Sequence, residues 1–180
     1  MMRENKMRRP LCLIDMSLFR PKQILDIFTD LDMEYYRKMG FDTILLDIDN
    51  TIAIPNTGGC DERAKAFIQK LKDHGFKVVI FSNNKKERVK MFIGNMDVDF
   101  KSLAMKPLPF SYLAVCKEMG TSPKKTLVLG DQLLTDILGA NLSGCYGIYC
   151  KQLQKKDSKM TAFNRRFEKL IWRYVLHEEM

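Results

Sequence analysis

The sequence Thr43-Ile44-Leu45-Leu46-Asp47-Ile48-Asp49-Asn50-Thr51 begins as a buried strand and ends with two carboxylates. Alternate residues of a strand point to the same side, so Asp47 and Asp49 share one face, roughly 6–7 Å apart along the strand. Two like charges at this separation cost free energy unless a cation or a proton compensates them. The stretch therefore predicts a strand whose carboxyl end carries a charged site.

Outward from this stretch, short apolar runs alternate with helical patterns, which is typical of βαβ units around a parallel sheet. Strands are predicted at 43–48, 76–81, 98–103, 126–131 and 145–150, and helices at 61–75, 82–94, 109–120 and 133–144. We expect a single domain over 1–180. Its core spans about 41–150, with an N-terminal leader at 1–40 and a C-terminal amphipathic helix at about 161–178. The apolar stripe of that helix is predicted to contain Phe163, Phe167, Leu170, Ile171, Tyr174 and Val175.

The chain has 180 residues and a formal net charge of +8. That charge favours an anionic partner, such as nucleic acid, an anionic lipid surface or a phosphorylated substrate, although it also fits a solvated basic surface. No run of about 18 apolar residues is present, so the sequence predicts no transmembrane helix, and the N-terminus lacks the pattern of a signal peptide. Five cysteines without metal-binding spacing indicate reduced thiols in an intracellular protein.

Polar side chains follow four of the predicted strands. In a doubly wound sheet, ligands bind at the carboxyl ends of the strands, so these side chains are expected to converge on one crevice. They are Asp47, Asp49, Ser82, Lys106, Asp131 and Asp136. Taken singly, Asp49 also suits a turn and Lys106 also suits a solvated surface. Taken together, they predict one site.

Four motifs carry a family resemblance: "DIDNT" (47–51), the Ser of "FSNN" (81–84), the Lys of "MKP" (105–107) and "GDQLLTD" (130–136). In this order the set resembles the haloacid-dehalogenase-like (HAD) phosphotransferase superfamily. The chain looks closest to its small capless class III branch, which includes the phosphatidylglycerophosphate phosphatases. The resemblance implies a Rossmann-like three-layer α/β/α sandwich with a mostly parallel five-stranded sheet and no large cap domain.

The residues themselves suit phosphoryl transfer. Asp47 is expected to attack the phosphomonoester as nucleophile, and Asp49 to act as general acid and base. Ser82, Asn83 and Lys106 are predicted to bind the phosphate. Mg²⁺ is the predicted cofactor, with Asp47 and Asp131 as ligands and, by resemblance, the backbone carbonyl of Asp49. Thr51 and Asn83 are expected to shape the loops through bonds from side chain to backbone, and Asp136 to orient Lys106 or the metal's water ligands.

The substrate remains open at this stage. The short segment 52–60 and the interval 84–105 leave no room for a cap domain, so the site is predicted to be open and suited to a large or membrane-presented substrate such as phosphatidylglycerophosphate. A soluble nucleotide, a sugar phosphate or a phosphoprotein is the first alternative, and a basic module that binds RNA is the second. We expect a cytoplasmic protein of phospholipid metabolism. It would associate peripherally with the inner face of an anionic membrane if its basic C-terminal helix docks there.

Overall fold

The structure is a computed structural model that describes residues 15–55, 57–154 and 166–173. Its centre is one six-stranded sheet of order β1-β6-β5-β2-β3-β4, in which every neighbouring pair is parallel. The strands are β1 (Gln23–Leu25), β2 (Thr43–Leu46), β3 (Lys77–Phe81), β4 (Asp99–Lys101), β5 (Thr126–Gly130) and β6 (Tyr146–Cys150).

Helices connect these strands and cover both faces of the sheet. They are α1 (Met33–Lys38), α2 (Glu62–Asp73), α3 (Lys86–Ile93), α4 (Pro109–Glu118) and α5 (Leu138–Ser143), with a π-helical turn at Leu133–Ile137 and short 3₁₀ turns at Met16–Phe19, Phe28–Asp30 and Pro123–Lys125. In helix α2, local residues determine where the helix begins and ends. The Asp61 carboxylate accepts the Ala64 N–H at its start, and Gly75, with φ of 80°, follows its end.

The alternation of strand residues divides the core into two layers. Ile44 and Leu46 of β2 face the layer that α1, α2 and α3 fill, which includes Phe67 and Phe92. Leu45 faces the opposite layer, formed largely by α4 and α5. A third group of buried side chains surrounds Tyr149 on that same side of the sheet. The arrangement is the predicted three-layer α/β/α sandwich.

The predicted strand number is wrong by one. The leader contributes β1, which pairs in parallel with β6 from Gln23↔Ile148 to Leu25↔Cys150. This edge strand has only three residues, with one buried side chain, so its local sequence carries almost no period-two signal. The fold class is otherwise confirmed.

The described part of the C-terminal segment, residues 166–173, is helical and packs on the core. Ile171 is buried as predicted, whereas Phe167 and Leu170 are about half exposed, so the predicted stripe is wrong at these two positions. Glu168 and Trp172 are buried instead, because Glu168 accepts the Leu134 N–H and Trp172 packs edge-to-face on Tyr149. Phe163, Tyr174 and Val175 lie outside the described residues.

Neither connection that could house a cap contains one. Residues 47–61 between β2 and α2 form a loop, described except at position 56, and the crossover from β3 to β4 contains only α3. The four cysteines within the described residues, Cys60, Cys116, Cys145 and Cys150, are buried free thiols. Among the described residues, no helix is long and apolar enough to cross a membrane.

Candidate active site

The predicted site residues meet at the carboxyl edge of the sheet. Asp47 directly follows β2, and its backbone N–H donates to Leu129 O at 3.0 Å, which continues the pairing with β5. Ser82 directly follows β3, and Asp131 directly follows β5. Lys106 comes from the loop after β4. The parallel sheet thus places side chains from four separate segments around one point, as the strand-end argument predicts.

Lys106 is the centre of a buried ionic cluster. Its ammonium lies 2.6 Å from Asp47 Oδ1 and 2.6 Å from Asp136 Oδ1. All three residues are at most 8% exposed. Asn83 fixes the lysine backbone from both sides, because its Oδ1 accepts the Lys106 N–H at 2.8 Å and its Nδ2 donates to Lys106 O at 3.1 Å. The lysine is therefore a fixed positive charge.

Burial and charge perturb the acid–base behaviour of this cluster. Burial raises the pKa of Asp47 to about 6, and the nearby Lys106 ammonium limits the rise. Burial acts to lower the pKa of Lys106, but the carboxylates of Asp136 and Asp47 together raise it above its ordinary value. Lys106 is consequently a cation at neutral pH and stabilises the ionised form of the carboxylate that the sequence predicts as nucleophile.

The cluster has the donor set of a divalent cation site. Oxygens of Asp47, Asp131 and Asp136 lie within 4.8 Å of one another, and all three residues are buried. If all three carboxylates are ionised, their negative charge exceeds the single positive charge of Lys106. Mg²⁺ prefers carboxylate oxygens as ligands. Asp131 accepts long bonds from Thr51 Oγ1 (3.3 Å) and Gln152 Nε2 (3.4 Å). The residues present therefore fit a magnesium ion.

Asp136 has other contacts that tie it to Lys106. Its Oδ1 accepts the lysine ammonium, and its Oδ2 accepts the Gln132 N–H at 3.2 Å and the Thr135 hydroxyl at 3.3 Å. It lies so close to the end of β5 that a Cβ added at Gly130 would be 2.2 Å from Asp136 Cγ. Of the two roles that the sequence leaves open for Asp136, this geometry favours the orientation of Lys106.

Asp49 makes none of the contacts of the Lys106 cluster, although its charge is close enough to help raise the pKa of Asp47. Asn50 takes φ of 64° in the turn after β2, and Asp49 faces α3. Its Oδ1 accepts Arg88 Nη2 at 2.7 Å, and its Oδ2 accepts Asn84 Nδ2 at 2.7 Å. The carboxylate of Asp49 is therefore not one of the three clustered groups that could hold a metal ion.

The same asparagine links Asp49 to the predicted phosphate ligand Ser82. Asn84 donates to Ser82 Oγ from its backbone N–H at 3.2 Å and from its side chain at 3.1 Å. A serine hydroxyl has one donor hydrogen and two acceptor lone pairs, so these contacts leave the donor hydrogen for a phosphoryl oxygen. Asp49 and Ser82 are thus held on the same side of the site.

Sequence reasoning missed the roles of Arg88, Asn84 and Gln152. Asn84 stands inside the quoted "FSNN" motif, but nothing local shows that its amide reaches Asp49, 35 positions earlier. Arg88 reads as one basic residue of the "KKER" helix start, and Gln152 lies beyond the last core strand. Their contacts depend on tertiary structure, and a single sequence contains no signal for them.

Comparisons with known proteins agree with this geometry. A model of the haloacid dehalogenase-like hydrolases matches residues 59–144, and a model described as "Mitochondrial PGP phosphatase" matches residues 8–92. The "Probable phosphatase YqeG" of Bacillus subtilis is 31% identical over 155 residues, 86% of this chain and 90% of that protein. Over a shorter stretch of 55 residues, "Phosphatidylglycerophosphatase GEP4, mitochondrial" of Saccharomyces cerevisiae is 38% identical, which covers 31% of this chain and 28% of the yeast protein.

Two solved structures share the fold. An uncharacterized protein from Listeria monocytogenes serotype 4b superposes with a TM-score of 0.52 at 18% identity, over 65% of this chain and 85% of its own. The cobalt-bound deoxy-D-mannose-octulosonate 8-phosphate phosphatase YrbI of Haemophilus influenzae superposes with a TM-score of 0.52 at 13% identity. The match covers 62% of this chain and 68% of YrbI. The motifs, the fold and the near full-length match to YqeG agree: the chain belongs to the haloacid dehalogenase-like hydrolase family, and within it to the phosphatases.

Proposed function

We propose that this phosphatase hydrolyses phosphomonoesters with Mg²⁺, through an aspartyl phosphate on Asp47, and that its substrate is large or membrane-presented, such as phosphatidylglycerophosphate. The observation that carries the proposal is the buried cluster of Asp47, Lys106, Asp131 and Asp136 at the carboxyl edge of the sheet. A nucleophile, a fixed cation and a cation-binding donor set are what phosphoryl transfer requires of a protein.

In the first step, an oxygen of Asp47 bonds to phosphorus while the bond from phosphorus to the leaving oxygen breaks, and Asp49 gives that oxygen its proton. In the second step, water attacks the phosphorus of the aspartyl phosphate, Asp49 takes the proton, and the carboxylate of Asp47 is restored. Lys106 balances the negative charge of the Asp47 carboxylate before attack and that of the phosphoryl group while it is attached to Asp47, and the Ser82 hydroxyl donates to a phosphoryl oxygen.

Mg²⁺, held by Asp47, Asp131 and the backbone carbonyl of Asp49, would supply charge neutralisation on the transferring group. Asp136 keeps Lys106 in place. Arg88 and Asn84 hold the Asp49 carboxylate beside Ser82 until Asp49 takes up the proton that it gives to the leaving group.

Three observations support the substrate class. Residues 52–60 contain no cap domain and the β3–β4 crossover holds one helix, so a bulky group can approach the site. The net charge of +8 favours an anionic surface. The model that matches residues 8–92 is described as "Mitochondrial PGP phosphatase", and the yeast relative that matches 55 residues is a phosphatidylglycerophosphatase. The corresponding location would be peripheral, at the inner, cytoplasmic face of a membrane.

The deciding experiment measures phosphate release from phosphatidylglycerophosphate in vesicles, with Mg²⁺ or with a chelator. We expect the chelator to stop release and Asp47→Asn to lower its rate by about a thousandfold or more. Asp99→Asn, at an exposed position at the start of β4, is the matched control and should behave as wild type.

Two outcomes would revise the proposal. If Asp47→Asn or the chelated enzyme keeps the wild-type rate, the mechanism is wrong. If a soluble aryl phosphate is cleaved in an Asp47-dependent manner but the lipid is not, the mechanism stands and the substrate is instead a soluble nucleotide, a sugar phosphate or a phosphoprotein.

A further inference from the structure

An apolar surface lies beside the candidate active site. Five large apolar side chains between positions 103 and 113 are 46–59% exposed. We call this group the apolar rim: Leu103, Met105, Leu108, Phe110 and Leu113. Exposed apolar residues are common singly, whereas several large ones close together make this segment a candidate interaction surface.

The core does not require the apolar rim. Helix α4 turns Tyr112, Val115 and Cys116 into the core, where Tyr112 packs edge-to-face on Phe81. That face alone anchors the helix, yet Phe110 and Leu113 on its outer face are also apolar. Between positions 102 and 116 the sequence contains a single charged residue, Lys106, whose side chain is buried in the site. An ordinary solvent-facing helix would carry polar residues at these positions.

The apolar rim is at the same edge of the sheet as the active site. Met105 and Leu108 flank Lys106 along the chain, and the Leu108 N–H donates to Met105 O at 2.9 Å to close the turn around it. The loop follows the carboxyl end of β4, and α4 begins at that edge because it runs back along the sheet. The loop part of the apolar rim, Leu103, Met105 and Leu108, therefore lies at the edge of the sheet where the cluster is found.

Basic residues border the apolar rim. The Leu103 N–H donates to Asn84 O at 2.9 Å, which places the rim next to the exposed Lys85 and Lys86. At the other end, Lys117 lies one turn beyond Leu113 on the exposed face of α4. Glu118 is paired with Lys101 at 3.6 Å. Apolar side chains bordered by lysines are typical of protein surfaces that dock on anionic lipid.

We propose that the apolar rim inserts into an anionic phospholipid bilayer and thereby holds the active site against the headgroup layer. This inference rests on the proposed function, since it supplies the surface that presents a lipid phosphomonoester to Asp47. Charge complementarity favours a bilayer over a second copy of the chain. Each chain has a net charge of +8, so two copies repel each other, whereas anionic lipid attracts both the lysines and the whole molecule.

Vesicle flotation tests the inference without requiring turnover. The probes are vesicles of equal parts phosphatidylcholine and phosphatidylglycerol, and vesicles of phosphatidylcholine alone. We expect wild type and Asp47→Asn to float with the anionic vesicles, and the double variant Phe110→Gln/Leu113→Gln to bind them about tenfold more weakly or worse. Leu142→Gln is the matched control. Leu142 is 45% exposed and lies near the end of α5 that points to the opposite edge of the sheet, so this variant should bind vesicles as the wild type does.

Each result decides the inference. If the double variant floats more weakly but keeps the melting temperature of the wild type, the apolar rim is a docking surface. Wild-type flotation by the double variant overturns the proposal, as does failure of the wild type to bind anionic vesicles. A change from dimer to monomer in sedimentation assigns the rim to a second copy instead. Hydrolysis of a soluble aryl phosphate, measured on the wild type and on Asp47→Asn, tests the proposed function independently of all these outcomes.

Discussion

At the scale of single residues, Arg88 holds Asp49, the predicted general acid, in position. It donates to Asp49 Oδ1 at 2.7 Å and to Gly58 O at 3.2 Å, so it fixes both Asp49 and the loop beyond it. Its side chain is 17% exposed and that of Asp49 is 28% exposed, which leaves the pair partly shielded from solvent. We therefore predict that Arg88 positions Asp49 for its proposed role in proton transfer.

Replacement of Arg88 by Met should therefore depend on the leaving group. A poor leaving group, such as an alkyl alcohol, needs the proton from Asp49, whereas an activated dinitrophenolate does not. We expect Arg88→Met to lower kcat for alkyl phosphates by about tenfold more than kcat for dinitrophenyl phosphate. Steady-state kinetics on both substrates measure this ratio, and Lys90→Met, at an exposed position of the same helix, is the control. Equal losses on both substrates would show that Arg88 serves only the structure.

At the scale of elements, the sequence predicts what repeats locally and misses what depends on distant partners. Strand β2 and helix α2 are predictable because the apolar spacing, the Asp61 cap and Gly75 are all local. Strand β1 is not, because Gln23–Leu25 is a strand only through its pairing with β6. The orientation of residues 166–173 is likewise set by the partners of Glu168 and Trp172.

The candidate site follows the same division. Asp47, Ser82, Lys106 and Asp131 are predictable since each stands at or just after the end of a strand. The contacts of Asp136 with Lys106 and of Asn84 with Asp49 span 30 and 35 positions, so only the fold reveals them. The catalytic and metal-binding roles of these residues stay predictions.

The end of β5 offers a test of how closely element and site are coupled. A methyl group at Gly130 would collide with Asp136 at 2.2 Å, so Gly130→Ala must displace the carboxylate that holds Lys106. We expect the free energy of unfolding in urea to fall by about 1–3 kcal/mol, and aryl phosphate hydrolysis to fall with it. At Gly58 an added Cβ meets nothing within 4 Å, so Gly58→Ala should change neither quantity. Full activity of Gly130→Ala would contradict the role assigned to Asp136.

At the scale of the whole molecule, the described part of the leader, residues 15–40, packs into the core. Phe28 is fully buried, packs edge-to-face on Phe67 of α2 with ring centroids 4.9 Å apart, and lies beneath the Arg63 guanidinium. Tyr36 of α1 is also buried and contacts the rings of Phe41 and Tyr146. These contacts support the prediction that leader and core form one folding unit.

Phe28→Ala tests that prediction. Loss of a fully buried aromatic ring should lower the free energy of unfolding by about 3–5 kcal/mol. Tyr35→Ala, which removes a ring that is 51% exposed, should change it by about 0.5 kcal/mol or less. Urea denaturation followed by circular dichroism measures both variants, and a single transition for each would agree with one cooperative unit. Equal, small effects would mean that the leader folds separately from the sheet.

The strand order also determines when the sheet can form during synthesis. β2 pairs with β3 on one side, but its other neighbour, β5, is encoded about 80 residues later, and β1 waits for β6. At about 5–20 residues per second, the ribosome leaves one edge of β2 unpaired for about 4–16 seconds. During that interval an apolar strand with open hydrogen-bonding groups can associate with other nascent chains. The sheet can therefore be completed only after Gly130, at the end of β5, and Cys150, at the end of β6, have left the exit tunnel.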